Sequence, residues 1–374
     1  MSDGSRIERA WRTAGGDNSR RGCQDGSRQL KWHPQSRLKV RGVVNTSPVF
    51  DGAGNAFIAD MAGWLHAFTP QGHRLWEARL DSGVSATPAT HTREPRVFAA
   101  TLRGTVYALD TTNGAVRWTR AIRSQSDPRI LSDLLLLEKP NLVVLSSWGG
   151  KFVALEAETG AERFSWDAGV YPRSAAAADA AGNLYFVRSV EGKGLECVRV
   201  DQDGQEHLLH REPEDQRGAQ RALVAAGPVL DEQRDLACFV LNQNKAALLL
   251  GLSIQSGAIR WRRPLPSTVQ GVPAIPGNGV IIIADLAGAV HGFRPDGEAT
   301  FRYETGCEYL LAGAVGQADG TCFVGDPWGR VHQIDGRGVG KSTFEARRSI
   351  QARPSFDPSG RLYIPCTDHT IYIG

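Results

Sequence analysis

Short apolar strands separated by Gly- and Asn-bearing turns recur along the chain in units of roughly 40 to 50 residues. Eight times a turn followed by a large apolar residue closes such a unit, at Trp32, Trp76, Trp118, Phe164, Leu208, Trp261, Phe301 and Phe344. The second complete unit shows the pattern best. Arg96-Val97-Phe98-Ala99-Ala100 is a short apolar strand, and Gly104-Thr105-Val106-Tyr107-Ala108-Leu109-Asp110 alternates as a half-buried strand does. Thr112-Asn113-Gly114 supplies a tight turn, because Asn and Gly tolerate positive φ, and Ala115-Val116-Arg117-Trp118 makes the outer strand. The same order returns at Gly63–Trp76, Gly150–Phe164, Gly288–Phe301 and Gly329–Phe344, and in weaker form around Cys197–Leu208 and Leu250–Trp261. The spacing from Leu208 to Trp261 is the longest and predicts an insertion, assigned to Arg211–Arg221.

The chain ends on two strands, Arg361–Ile364 and Thr370–Ile373, with no outer strand after them, whereas Gln29–Trp32 has an outer-strand signature and no unit before it. An open ring would leave two long unpaired sheet edges. Pairing the N-terminal strand with the last unit closes it. The expectation is all-β: a single eight-bladed β-propeller of four-stranded blades over residues 27–374, its last blade completed by Gln29–Trp32, behind a disordered polar tail at residues 1–26.

These blades, with an Ala-Leu-Asp strand, a Thr-Gly turn and a docking Trp, resemble the quinoprotein (PQQ-like) repeat family over about residues 28 to 374. The resemblance implies the propeller fold but leaves function open, since such propellers include quinone-dependent alcohol dehydrogenases and cofactor-free assembly scaffolds. The dehydrogenases use adjacent disulfide-linked cysteines beneath the quinone. No two of the six cysteines are adjacent here, so no cofactor is expected.

Composition narrows the reading a little further. A net charge of +3 on 374 residues does not point to nucleic acid. Residues 1–26 include Arg20-Arg21 and Cys23 but no apolar run for an export signal, and no stretch approaches the ~20 apolar residues of a membrane span. Scattered cysteines in apolar strands add to the expectation of a reduced, cytoplasmic monomer free of membrane. The Gly336–Ser342 run has Asp335 where a phosphate loop needs Gly, so it reads as a hairpin turn. His66, His291 and His332 share one register on separate blades, too far apart to ligate one metal, and are expected to pack between blades. Asp60, Asp285 and Asp326 share another, three residues before a blade glycine, and are expected to accept turn N–H groups. No metal site is expected.

The informative positions break the repeat on the face that carries the blade-to-blade loops and the turns between second and third strands. Asn45, Ser85, Gln270 and Gln351 precede inner strands and should ring the axial mouth. Trp148, Arg173, Arg188, Arg221 and Trp328 join Asn45, Gln270 and Gln351 as candidate ligand-binding residues, with Tyr171 and a lengthened Arg188–Glu191 loop nearby. The expected role is a scaffold that binds a protein partner or a small ligand on this face. The alternative is a cofactor-independent lyase or isomerase in the axial funnel. It would hold an anion with the arginines and use Asp368 or His369 as acid or base.

Overall fold

A computed structural model describes residues 11–24, 32–123, 126–169, 175–213 and 226–374. Eight antiparallel sheets succeed one another along the chain, each running from an inner strand at the axis to an outer strand at the rim. Blade 1 spans Val49–Arg79, and blades 2 to 5 span Ala89–Ala121, Leu135–Asp167, Ala177–Glu212 and Val229–Leu265. Blade 6 covers Ile281–Glu304, with its inner strand reduced to a bridge between Ala274 and Ile282. Blade 7 covers Val315–Glu345, and blade 8 begins at Ser355. Inner and middle strands are buried on both faces by the neighbouring blades, which is why they read as apolar runs, while outer strands expose alternate residues.

Large apolar residues on the outer strands join neighbouring blades. Trp76 lies over the turn of blade 2, where Gly114 has φ 75° and a Cβ would stand 2.7 Å from the indole. Its Nε1–H donates to Thr111 O at 2.7 Å, and Trp118 and Trp261 donate in the same way to Ala157 O (3.0 Å) and Pro295 O (2.7 Å). Where Phe164 takes the docking place, Trp166 stacks on it and supplies the bond, to Gly204 O at 3.0 Å. Blade 4 shifts the role by one residue: Leu208 is 50% exposed, and Leu209 packs instead over Gly257.

Closure by an N-terminal strand holds, but with a different segment. Ser36–Lys39 pairs antiparallel with Thr370–Ile373 and completes blade 8. Of its four residues only Leu38 is buried, and it fills the docking place over Gly72 of blade 1. Trp32 has another job. It packs edge-on to Phe344 of blade 7 with centroids 5.6 Å apart, and its main-chain N–H donates to Gln333 Oε1 at 3.2 Å. Residues 29–31 lie outside the described residues.

The second correction concerns the polar tail. Residues 11–24 lie inside the ring, where their carbonyls accept from one inner strand after another. Trp11 O accepts from Phe50 N in blade 1, Arg12 O from Thr90 N in blade 2, and Asn18 O from Ala178 N in blade 4. Ser19, Arg21 and Gly22 serve Leu230, Ile275 and Gly316 in blades 5, 6 and 7, all at 2.7–3.0 Å. Cys23–Gln24 then add a parallel fifth strand to blade 7. The segment follows the blades around the axis. Inner strands facing a channel leave backbone donors without partners, and an irregular Gly-rich peptide can meet them one at a time. Gly15 and Gly16 turn at φ 87° and 90°, and a Cβ at Gly22 would run into the Arg353 guanidinium.

Candidate functional site

The loop-bearing end of the channel is a funnel of about 440 Å³, built in two tiers by the residues leading into the inner strands. Asn45, Ser85, Gln270 and Gln351 all line it, in the upper tier. Two residues further along three of these lead-ins, Ser47, Thr87 and Arg353 form the lower tier, as the period of two in extended backbone requires, and Asp133, two residues beyond Leu131 on the blade 3 lead-in, joins them. Sequence reading missed this tier, although a step of two from Asn45, Ser85 and Gln351 would have found all of it but Asp133. The lower tier ties blades together: Ser47 Oγ donates to Arg353 O (2.8 Å), Ser47 N to Thr87 Oγ1 (3.2 Å) and Thr87 N to Asp133 Oδ1 (2.7 Å).

Ala14 of the internal segment forms part of the funnel floor, while Arg12, Asp17, Asn18 and Ser19 line a second cavity of about 540 Å³ towards the other end. Two buried arginines fix this partition. Arg20 donates from Nε to Ala176 O (2.6 Å), from Nη1 to Ala14 O (2.9 Å) and from Nη2 to Asp133 O (3.2 Å). Arg353 donates to Ala314 O (2.8 Å), Pro273 O (3.1 Å) and Arg20 O (3.3 Å). Burial pulls the Arg353 pKa down to about 9, with the Arg20 charge adding to it, and pulls Arg20 to about 10; both remain cationic at neutral pH. Their donors go to main-chain carbonyls, so their visible work is clamping. The upper tier offers neutral carboxamides and hydroxyls, and Asn45 Oδ1 is buried without a hydrogen-bond partner. Such a lining can bind polar, uncharged groups, a peptide main chain among them.

The remaining candidates lie elsewhere. Trp148 sits at the blade 3 turn with the Arg129 guanidinium 5.7 Å above its ring. Trp328, 49% exposed, lies beneath Arg330 at 4.4 Å. Arg188 is in a strand, Leu184–Val190, so the expected Arg188–Glu191 loop is mostly β-structure; its guanidinium pairs with Glu196 (2.8 Å) and Glu206 (2.9 Å). Asp368 Oδ2 accepts from Tyr372 Oη at 2.6 Å. His369, exposed at φ 64°, takes the turn position that glycine holds in other blades. None of these five lines the funnel. Tyr171, Arg173 and Arg221 fall outside the described residues, as does the expected insertion from Glu214 onward; Arg211 and Glu212 belong to the outer strand of blade 4.

The repeated Asp and His registers turn out to be one device. Each Asp accepts the N–H groups of its turn, as Asp60 Oδ1 does from Trp64 N at 3.0 Å. Its other oxygen meets the His six residues on, at 3.0 Å for Asp60–His66, 2.8 Å for Asp285–His291 and 3.0 Å for Asp326–His332. Burial alone would raise these carboxyls, but the bonds from His and from turn amides outweigh it and hold all three below the usual range. His332 also reaches the neighbouring blade, its Nδ1 lying 3.1 Å from Tyr303 Oη. Among the described residues no group of three His, Cys, Asp or Glu is placed to hold a metal ion. No helix among them is long and apolar enough to cross a membrane.

Solved structures of other proteins share this architecture. BamB from Moraxella catarrhalis superposes with a TM-score of 0.71 at 16% identity, over 91% of this chain and 96% of that one. Quinohemoprotein alcohol dehydrogenase from Comamonas testosteroni does so at 0.77 and 13% identity, over 98% and 80%. At such identities the likeness is one of fold. No curated protein matches the chain by sequence. Residues 61–303, more than half of the chain, match the PQQ-repeat family described as outer membrane protein assembly factor BamB, and to that family the chain belongs.

Proposed function

We propose that the chain is a binding scaffold that recognises a protein partner or a small ligand on its loop-bearing face, with the axial funnel at the centre of that surface. The funnel carries this reading. Carboxamides and hydroxyls from separate blades converge on a cavity of about 440 Å³ whose floor includes the chain's own Ala14. A rigid ring presenting such a concavity suits recognition. The matched family is described as an assembly factor, which supports a protein as the partner. Asp368 and His369 lend no support to a lyase or isomerase in the funnel, since neither lines it. The buried cysteines Cys197, Cys238, Cys307, Cys322 and Cys366 are free thiols, which supports a reducing, cytoplasmic setting.

The test is site-specific crosslinking in cells that produce the protein. A photoreactive side chain at Gln351, on the funnel rim, should give discrete higher-mass adducts. The same group at Asn113, on a turn of the opposite face, should give none. Adducts at Asn113 alone would overturn the reading.

A further inference from the structure

The loop-bearing face is uneven in charge, and its contiguous loops can be traced through backbone hydrogen bonds. Thr367 N donates to Ser349 O, Val40 N to His369 O, Met61 N to Val43 O, Leu80 N to Gly63 O and Leu102 N to Gly83 O. These bonds join the loops around blades 8, 1 and 2 into one arc. Along it stand exposed Arg347, Arg348, Arg41, Arg79 and Arg103, together with His369. At the middle of the arc two guanidiniums lie over the Trp64 ring, Arg41 at 4.3 Å and Arg79 at 5.2 Å from its centroid. Carboxylates on these blades are already engaged. Glu77 pairs with Arg41 and Arg74, Asp368 accepts from Tyr372, and Asp81 accepts from Thr105 Oγ1 at 2.6 Å. Among the described residues Arg79, Arg103, Arg347 and Arg348 have no ion-pair partner.

Resting on the proposed binding face, we infer that this arc takes an extended acidic segment of a partner protein, which lays Asp or Glu side chains on the arginines. The rim of the funnel beside it meets the segment's main chain. An extended strand presents a side chain to one face about every 7 Å, so acidic groups at alternate positions can meet arginines on successive loops while passing the intervening carboxylates. Duplex DNA carries a charge every ~1.7 Å of its axis and would set phosphates against Glu77, Asp81 and Asp368 as well. The arc's mixed charge therefore fits the peptide better. Guanidiniums held against Trp64 need less ordering when they form forked bonds to carboxylates.

The test is fluorescence anisotropy at low salt on the full chain, with a short labelled peptide of alternating Asp and Ser, its Asn-for-Asp counterpart, and a short DNA duplex. The Asp peptide should bind with clear preference over the other two. Combined Arg103→Gln, Arg347→Gln and Arg348→Gln, all at exposed positions, should weaken it about tenfold, as loss of three surface ion pairs implies. The matched change on the opposite face, Arg93→Gln, Arg294→Gln and Arg337→Gln, alters net charge equally and should leave affinity within about twofold. Equal binding of the Asn peptide, preference for DNA, or equal losses from both triple variants would overturn the inference. If that happens while Gln351 still gives crosslinks, the binding face stands without an acidic partner; absence of crosslinks at Gln351 removes the face itself.

Discussion

Trp11→Ala should release the internal segment from the ring. Trp11 is almost wholly buried, stands edge-on to Phe356 at 5.8 Å, and closes over Gly16. A buried Trp removes ~150–250 Å² from water, about 4–6 kcal/mol at ~25 cal/mol per Å², and large-to-Ala core changes at aromatic sites cost about 3–5 kcal/mol. With about 4 kcal/mol lost, and the segment opening as a unit, its detached population rises roughly a thousandfold. Hydrogen exchange reads this at named amides. Phe50, Thr90, Ala178, Leu230, Ile275 and Gly316 donate to the segment, so their protection should fall towards that factor. Third-strand amides such as Val106 and Val153, inside the blade ladders, should keep theirs. Wild-type protection at the six inner-strand amides would refute the claim that Trp11 anchors the segment.

Leu38→Ala, in the strand that closes the ring, should cost about 2–5 kcal/mol and promote aggregation by freeing a sheet edge, read as a lowered urea midpoint with light scattering. Asp60, Asp285 and Asp326 have depressed folded pKa values, so their stabilisation is complete above the unfolded value near ~4 and is lost as pH falls through the folded values. The urea midpoint should therefore drop on acidification below about pH 4, and Asp285→Asn should drop less steeply. Burial raises the thiols of Cys197 and Cys238, and pushes Cys322 to about 12 and Cys366 to about 11. A thiol reagent at pH 8 should label no more than Cys23 quickly in the native protein and all six cysteines in urea.

The blades were legible because their chemistry is local. Alternation in Thr105–Asp110, the Asn113-Gly114 turn and Trp118 each leave a signature within a few residues. Closure was legible as a need, yet its strand was not. Ser36–Lys39 buries one leucine, and that signal is weaker than the Trp32 nearby. The upper tier of the funnel followed from the repeat, because Asn45, Ser85, Gln270 and Gln351 share a register. Arg353 escaped notice because a buried arginine served by carbonyls looks, in sequence, like any surface arginine.

Residues 11–24 expose the deeper reason. A polar, Gly-rich, Arg-rich stretch is the composition of a chain that cannot build its own apolar core, and that inference assumes it must build one. Here the ring supplies the surroundings. Its inner strands need acceptors rather than apolar surface, and a segment of small and polar residues can follow them closely enough to provide them. The same glycines that suggested disorder let the backbone turn twice beside Trp11 and clear the Arg353 guanidinium. Because Ala14 is also part of the funnel floor, the segment sets the depth of the proposed binding cavity. A substitution at Trp11 should therefore reach the loop-bearing face through that floor, although Trp11 itself does not line the funnel.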